Sequence, residues 1–134
     1  MTSKEILEKY KQVAVYGMST NSAKPANYVP VFIHSQGYNV VAINPNTNQI
    51  GIIKSYSSIA DVEEKIEILN VFRRSEFCLD VVKEAVERKK IKGDIDIIWL
   101  QEGIINDEAK QLAEENGIVF IQDRCMLKEY NKYY

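Results

Sequence analysis

Histidine and cysteine, the residues that most often serve in catalysis and metal binding, are scarce in this sequence. His34 is the only histidine among the 134 residues, and the two cysteines, Cys78 and Cys125, are far apart with no C-x-x-C spacing. The common zinc-binding patterns are therefore excluded, and we expect both thiols to be reduced and structural. His34 falls in a predicted helix, away from the loops that would form a site, so it is a poor candidate for a general base.

Long apolar runs and an excess of one charge are also lacking. No segment approaches the roughly 20 apolar residues that a membrane span requires. Residues 1–11 form a charged amphipathic stretch rather than a signal peptide, so we expect a cytoplasmic protein that does not contact a membrane. The formal net charge of -2 provides no basic face for nucleic acid. Any recognition of phosphate must therefore be local.

Short β-branched segments alternate with amphipathic segments along the whole chain. The strands are predicted at residues 12–16, 39–43, 67–72, 96–100 and 118–121. The alternation predicts one α/β domain over residues 1–134, with a three-layer, doubly wound, Rossmann-like fold. Its sheet is expected to be mostly parallel and five-stranded, with helices on both faces.

Helices are predicted near residues 6–10, from the Pro25–Pro30 region to Gly37, over 78–92, from Asn106 to Gly117, and over 126–130. Between the second and third strands, residues 50–53 are predicted to be irregular, and Ser57 or Ser58 to cap a helix over 59–65. The cationic residues Arg88, Lys89, Lys90 and Lys92 are interpreted as a solvated helix end. The Tyr-rich segment 130–134 is expected to fray.

The stretch from Val13 to Tyr28 carries the clearest functional signal. A small apolar strand leads into Gly17, which allows close approach of the main chain, and then into the hydroxyl residues Ser19 and Thr20. Backbone N–H groups at the start of the following helix favour an anion such as phosphate. The stretch lacks the further glycines of the dinucleotide fingerprint and has no P-loop. From these residues alone, a phosphate site and an ordinary strand-to-helix turn both remain open.

The other loops that follow predicted strands add cations and amides. Ligands of open α/β sheets bind at the carboxyl ends of the strands, where Asn44-Pro45 and Arg73-Arg74 lie. Each arginine is expected either to hold a phosphate or to brace a carboxylate such as Asp123. Because Asn44 replaces the acidic residue that usually binds the ribose of NAD, the loops favour a ligand with an extra phosphate, either NADP or coenzyme A (CoA).

No catalytic pair can be assigned from the sequence. Ser19 and Cys125 have no identifiable neighbouring base. Glu102 and Asp123 follow adjacent predicted strands and remain a possible carboxylate pair, although loop acids more often cap helices or hold arginines. We therefore predict no catalytic residue and no metal ligand.

Taken in order, these segments resemble a known family. The resemblance is carried by residues 13–19, Lys24-Pro25, Tyr28, 41–45, Gly51, 56–59, 70–74, 99–104 and 123–125. They resemble the small stand-alone CoA-binding domain proteins, whose fold is similar to the N-terminal CoA-binding domain of the succinyl-CoA synthetase α subunit. The chain lacks the second domain of the synthetase and a histidine placed for phosphorylation, so the resemblance does not imply ligase activity.

The resemblance implies a role for each matching residue. Gly17, Met18 and Ser19 would receive the pyrophosphate, with Lys24 as a further phosphate contact at a position that is commonly arginine. Asn44 and Pro45 would border the adenosine. Phe72, Arg73 and Arg74 would line the middle of the cofactor, and Gly103 and Ile104 would flank the pantetheine arm.

Three functions remain open at this stage. The first is a module that binds CoA or a short acyl-CoA through its adenosine diphosphate part and acts as a carrier, sensor or partner subunit without its own chemistry. The second is an NADP-linked or acyl-CoA-transforming enzyme that uses Arg73, Glu102 or Cys125 in the same crevice. The third is an interaction protein with an empty ligand site, which an exposed Trp99 or the Tyr-rich terminus would favour. The sequence identifies no protein partner.

Overall fold

A mostly parallel sheet forms the middle layer of the protein. The structure, a computed structural model, describes residues 1–134. Its strands are β1 (Gln12–Tyr16), β2 (Asn39–Ile43), β3 (Gln49–Ile50), β4 (Ile53–Tyr56), β5 (Ile68–Val71), β6 (Ile97–Leu100) and β7 (Val119–Ile121). They lie in the order β3-β4-β2-β1-β5-β6-β7, and only β3 runs antiparallel to its neighbour.

Helices cover both faces of this sheet. They are α1 (Ser3–Lys9), α2 (Pro25–Ser35), α3 (Cys78–Lys92), α4 (Asp107–Glu115) and α5 (Met126–Tyr133), with short 3₁₀ helices at Ile59–Asp61 and Ser75–Phe77. One apolar core lies between the sheet and α3, α4 and the first 3₁₀ helix, and a second lies between the sheet and α1, α2 and α5. The predicted Rossmann-like class is confirmed. None of these helices has the length and apolar character needed to cross a membrane.

The prediction of five strands is wrong, because β3 and β4 add a hairpin at one edge. Gly51 turns the chain with a φ of 58°, and Ile50 and Ile53 are buried while Ile52 is 80% exposed. β3 has two residues and β4 has four, and their adjacent isoleucines hide the alternation by which strands are recognised. Residues 50–53, predicted to be irregular, are therefore part of the sheet.

Three local predictions are also corrected. The predicted helix over 59–65 is only the 3₁₀ turn Ile59–Asp61. Arg88 is buried instead of solvated, because it is paired with Asp94. The C-terminal segment does not fray: α5 continues to Tyr133, and the ring of Tyr130 stacks on Tyr134 and meets Phe32 edge-on.

The order of the strands reverses at β1, although β1 and both of its neighbours run parallel. The chain leaves β1 for β2 on one side and later returns to β5 on the other, so β1 lies between them. The crossover helix α2 lies on one face of the sheet and α3 on the other. Such a point opens a crevice beyond the carboxyl ends of the strands, where ligands of this fold class bind.

Candidate functional site

The crevice starts where the loop after β1 meets the loop after β5. Gly17 has a φ of 84°, and a Cβ built on it would lie 2.4 Å from the carbonyl oxygen of Phe72. Only glycine fits both the left-handed conformation and the space. Gly17 thus lets the loops after β1 and β5 approach each other closely, and its own N–H donates to the carbonyl of Ile43.

The loop after β1 leaves some of its backbone donors free. The N–H of Ser19 donates to the carbonyl of Ala26, and Ser19 Oγ accepts from the N–H of Asn21. The N–H groups of Met18 and Thr20 have no acceptor within the chain. These free donors, close to the start of α2, suit an anion. Of the three residues predicted to receive a pyrophosphate, Met18 therefore has the available amide.

Asn44 ties the loops after β1 and β2 together. Its Nδ2 donates to the carbonyl of Met18 at 3.0 Å, and its Oδ1 accepts from the N–H of Asn46 at 2.8 Å. A carboxylate at this position would keep the second bond and lose the first. The amide therefore positions the loop that carries the free Met18 N–H, a role distinct from any contact with adenosine.

Replacing Asn44 by aspartate should lower the free energy of unfolding by about 1–3 kcal/mol, because the Met18 carbonyl would lose its donor and face a charged acceptor. The measurement is denaturation by urea. The Asn46→Asp variant is the control, because it adds the same charge to the same loop at an exposed side chain. Equal losses of unfolding free energy in the two variants would show that the added charge, and not the lost hydrogen bond from Asn44 to the Met18 carbonyl, is responsible.

A cleft of about 350 Å³ opens over these loops. Five of the residues predicted for the site line it: Gly17, Met18, Asn44, Pro45 and Arg73. Tyr16, Ile43, Asn46 and Ser57 complete the wall. Its volume lies within the range of small-molecule sites. The structure thus brings together the residues predicted after β1, β2 and β5.

The other six predicted residues lie outside this wall: Ser19, Lys24, Phe72, Arg74, Gly103 and Ile104. Lys24 is exposed just before α2, and Phe72 packs on the core beneath α1, α2 and α5. Gly103 and Ile104 form a turn with Asp123, whose carboxylate accepts from the N–H of Gly103 at 2.7 Å. Their predicted roles toward a ligand remain predictions.

Arg73 is the cation of the cleft. Its guanidinium lies 4.9 Å from the centre of the Phe77 ring and forms no ion pair. The alternative in which Arg73 braces Asp123 is not found. A guanidinium that is positioned by an aromatic ring and has no ion-pair partner can donate hydrogen bonds to a phosphate without first breaking an ion pair.

Tyr16 supplies a neutral hydroxyl at the cleft. Its OH donates to Glu84 Oε2 at 2.8 Å. Burial, followed by this bond to a carboxylate, raises the pKa of Tyr16 to about 12. Behind the loop after β5, burial raises the pKa of Cys78 to about 11. Neither group is poised to lose its proton near neutral pH.

A wider cleft of about 860 Å³ adjoins the first and shares Pro45, Asn46 and Ser57 with it. Its wall includes the carboxylates of Asp61 and Glu63. The hydroxyls of Ser57 and Ser58 donate to Asp61 and lower the pKa of its carboxyl group. Negative charge on this side disfavours phosphate, so the two clefts differ in electrostatic character.

The groups considered for catalysis are engaged elsewhere. Glu102 pairs with Lys128 at 2.9 Å, and the Asp123 carboxylate holds the Gly103 turn, so the two acids do not form a pair. Cys125 and Cys78 are both free, buried thiols. His34 lies near the amino ends of the strands. The structure contains no group of three or more acidic, histidine or cysteine side chains that could hold a metal ion.

Comparison with known proteins gives a family match for this chain. The family model described as a CoA binding domain matches residues 11–131. The chain belongs to the CoA-binding domain family. The match covers all seven strands and the whole crevice, and the family resemblance predicted from the sequence is confirmed.

Relatives of the same family share nearly the whole chain. The uncharacterized protein YneT of Bacillus subtilis (strain 168) is 34% identical over 123 residues, which cover 92% of this chain and 87% of YneT. The solved structure of cell-free ID.343 from Thermus thermophilus is 29% identical, with a TM-score of 0.90 over 100% of both chains. A hypothetical protein from Pyrococcus horikoshii OT3 is also 29% identical, with a TM-score of 0.89 over 98% of this chain and 92% of the other.

Sequence reasoning missed four residues of the cleft wall. Tyr16 and Ile43 are the last residues of β1 and β2, and Asn46 lies two residues beyond Asn44. Ser57 follows β4, which was not predicted to join the sheet. The rule that ligands contact the residues after parallel strands would have found Ser57 once β4 was recognised.

Proposed function

We propose that this protein binds CoA or a short acyl-CoA through its adenosine diphosphate part and does no chemistry of its own on the ligand. One observation carries the proposal: a cleft at the reversal point of the sheet combines the free N–H of Met18 with the unpaired guanidinium of Arg73. Membership of the CoA-binding domain family supports CoA as the ligand.

The charges favour one end of the site for the diphosphate. Arg73 and Met18 line the smaller cleft, while Asp61 and Glu63 line the wider one. Phosphate would be attracted to the first and repelled from the second. Asn44 and Pro45, at the boundary between the clefts, then suit the uncharged parts of the nucleoside.

The surroundings of the reactive side chains support binding without chemistry. Glu102 is held by Lys128, Cys125 is buried, and burial keeps Cys78 protonated. Tyr16 stays neutral and donates to Glu84. Trp99 is fully buried and its indole N–H donates to the carbonyl of Arg124, which removes one of the two features that would favour an interaction protein with an empty site. Binding without catalysis is the function that these groups support best.

Replacing Arg73 by glutamine should weaken CoA binding by about tenfold to a hundredfold in isothermal titration calorimetry, because one charge-assisted bond to phosphate is lost. Arg124→Gln is the matched control, because Arg124 is exposed and lies outside the cleft. Affinity that is equal in both variants would contradict the assignment of Arg73.

Titration with NADP tests the alternative ligand, and assays of turnover test the enzyme alternative. NADP offers a diphosphate and an additional phosphate to the same cations, so binding of NADP in preference to CoA would overturn the choice of ligand. Turnover of an acyl-CoA or of NADPH that is lost in Glu102→Gln or Cys125→Ser would replace the binding module with an enzyme.

A further inference from the structure

The strand β7 forms an unprotected edge of the sheet. The N–H of Val119 donates inward, to the carbonyl of Asp96 at 3.0 Å. Because neighbouring residues of a strand direct their backbone groups to opposite sides, the N–H and carbonyl of Phe120 face outward. The Phe120 N–H has no acceptor in the chain. β7 consists only of Val119, Phe120 and Ile121, all partly exposed.

The two edges of the sheet differ in how they avoid association. Proteins protect an edge strand with charges, proline, bulges or very short strands. The opposite edge, β3, has only two residues. β7, with three residues, is also short, but it carries no charge, proline or glycine, and no strand of the chain pairs with its outer side. An apolar edge with free backbone groups is a surface for pairing with another strand.

A groove of about 360 Å³ runs beside this edge; Lys110, Phe120 and Ile121 line one part of it, and Arg124 and Glu129 line another. Lys110 and Glu114 are one helical turn apart on α4 and therefore share a flank. Neither side chain makes an ion pair or hydrogen bond within the chain. Lys110, on the groove wall, and Glu114, one turn farther along the same flank, are thus an unpaired cation and an unpaired anion of α4.

We propose that a second copy of the chain occupies this edge, with the two β7 strands paired antiparallel about a twofold axis at Phe120. The N–H of each Phe120 then donates to the carbonyl of the partner's Phe120. A twofold axis normal to the sheet also sets the two α4 helices side by side and antiparallel. The midpoint of Lys110 and Glu114 is close to the middle of α4, so Lys110 meets the partner's Glu114, and the reverse pair forms by symmetry.

This self-complementarity is the reason for choosing a second copy. The edge is centred on one outward-facing residue, and the flank of α4 beside it carries the unpaired Lys110 and Glu114, so two identical α4 flanks present complementary charges to each other. A foreign extended peptide would satisfy the backbone of Phe120 but would have no reason to match both Lys110 and Glu114.

Sedimentation equilibrium on the full chain tests the proposal. The wild-type protein should sediment as a dimer at micromolar to millimolar concentration. Lys110→Glu and Glu114→Lys each place like charges together twice across the axis, and each should weaken the dimer at least tenfold. The double variant restores both pairs and should recover the wild-type dissociation constant.

Hydrogen exchange locates the interface. The amide of Phe120 should exchange slowly in the wild-type dimer and rapidly in Lys110→Glu, since that amide is bonded only across the axis. A wild-type protein that stays a single chain at millimolar concentration would overturn the proposal. A dimer that both charge variants leave intact, a double variant that does not recover, or a rapidly exchanging Phe120 amide in the dimer would do the same.

Discussion

Replacing Arg88 by methionine should lower the free energy of unfolding by about 3–5 kcal/mol, because it leaves a buried carboxylate without its partner. Arg88 Nη2 lies 2.9 Å from Asp94 Oδ2, and both residues are buried. The same guanidinium donates to the carbonyls of Ile59, Val62 and Glu64 at 2.7, 2.8 and 3.0 Å. One side chain thus holds the irregular segment between β4 and β5 against α3.

Chemical denaturation of matched variants measures this effect. Lys90→Met, on the exposed side of α3, removes a surface pair with Glu87 and should cost less than about 0.5 kcal/mol. Adding Asp94→Leu to Arg88→Met should recover part of the loss, since the unpaired carboxylate is then gone. If Arg88→Met is no more destabilising than Lys90→Met, the buried pair is not what holds this segment.

Replacing Gly17 by alanine should destabilise the protein and weaken ligand binding together. The left-handed backbone alone costs about 1–2 kcal/mol for a residue with a side chain. The Cβ would also lie 2.4 Å from the Phe72 carbonyl oxygen, and forced overpacking adds about 1–3 kcal/mol. Relief of the clash moves the loops that carry Met18 and Arg73 apart, so affinity should fall as well.

Gly37→Ala is the control for Gly17→Ala. Gly37 has a φ of 95°, and a Cβ there would meet nothing within 4 Å. It therefore carries the backbone cost without the clash, and it lies away from the cleft. Thermal unfolding and CoA titration of both variants separate the two contributions. Equal losses of stability and unchanged affinity would show that contact between the two loops does not shape the site.

Much of the fold follows from local pattern. The β1, β2, β5, β6 and β7 strands are short β-branched runs with clear helical segments between them, and the N-cap at Asn106 and the left-handed end at Gly37 were predicted and are present. These features depend on neighbouring residues, which a sequence displays directly.

The corrected features depend on contacts between distant residues. Arg88 resembles its exposed lysine neighbours in sequence, and only the position of Asp94 and of the carbonyls of residues 59, 62 and 64 makes it a buried residue. The C-terminal helix is held by Tyr130 against Phe32 and Tyr38, from α2 and the turn that follows it. Neither the burial of Arg88 nor the aromatic packing of Tyr130 can be predicted from the local periodicity of the sequence.

The candidate site also has a part that local sequence predicts and a part that depends on contacts between distant residues. The loops after β1, β2 and β5 were predicted from the rule for parallel sheets, and their residues meet in one cleft. The loop after β4 was missed with its strand, and with it Ser57. The tie from Asn44 to the Met18 carbonyl joins two loops 26 residues apart in the chain, and it could be found only in the folded protein.

The most direct test of the account is a titration of the ¹⁵N-labelled protein with CoA, followed by amide chemical shifts. Binding of CoA in the cleft should give saturable shifts concentrated at Met18, Thr20, Asn46 and Arg73, with small changes at the amino ends of the strands near His34. Absence of shifts at millimolar CoA, or shifts confined to residues outside the cleft, would contradict it.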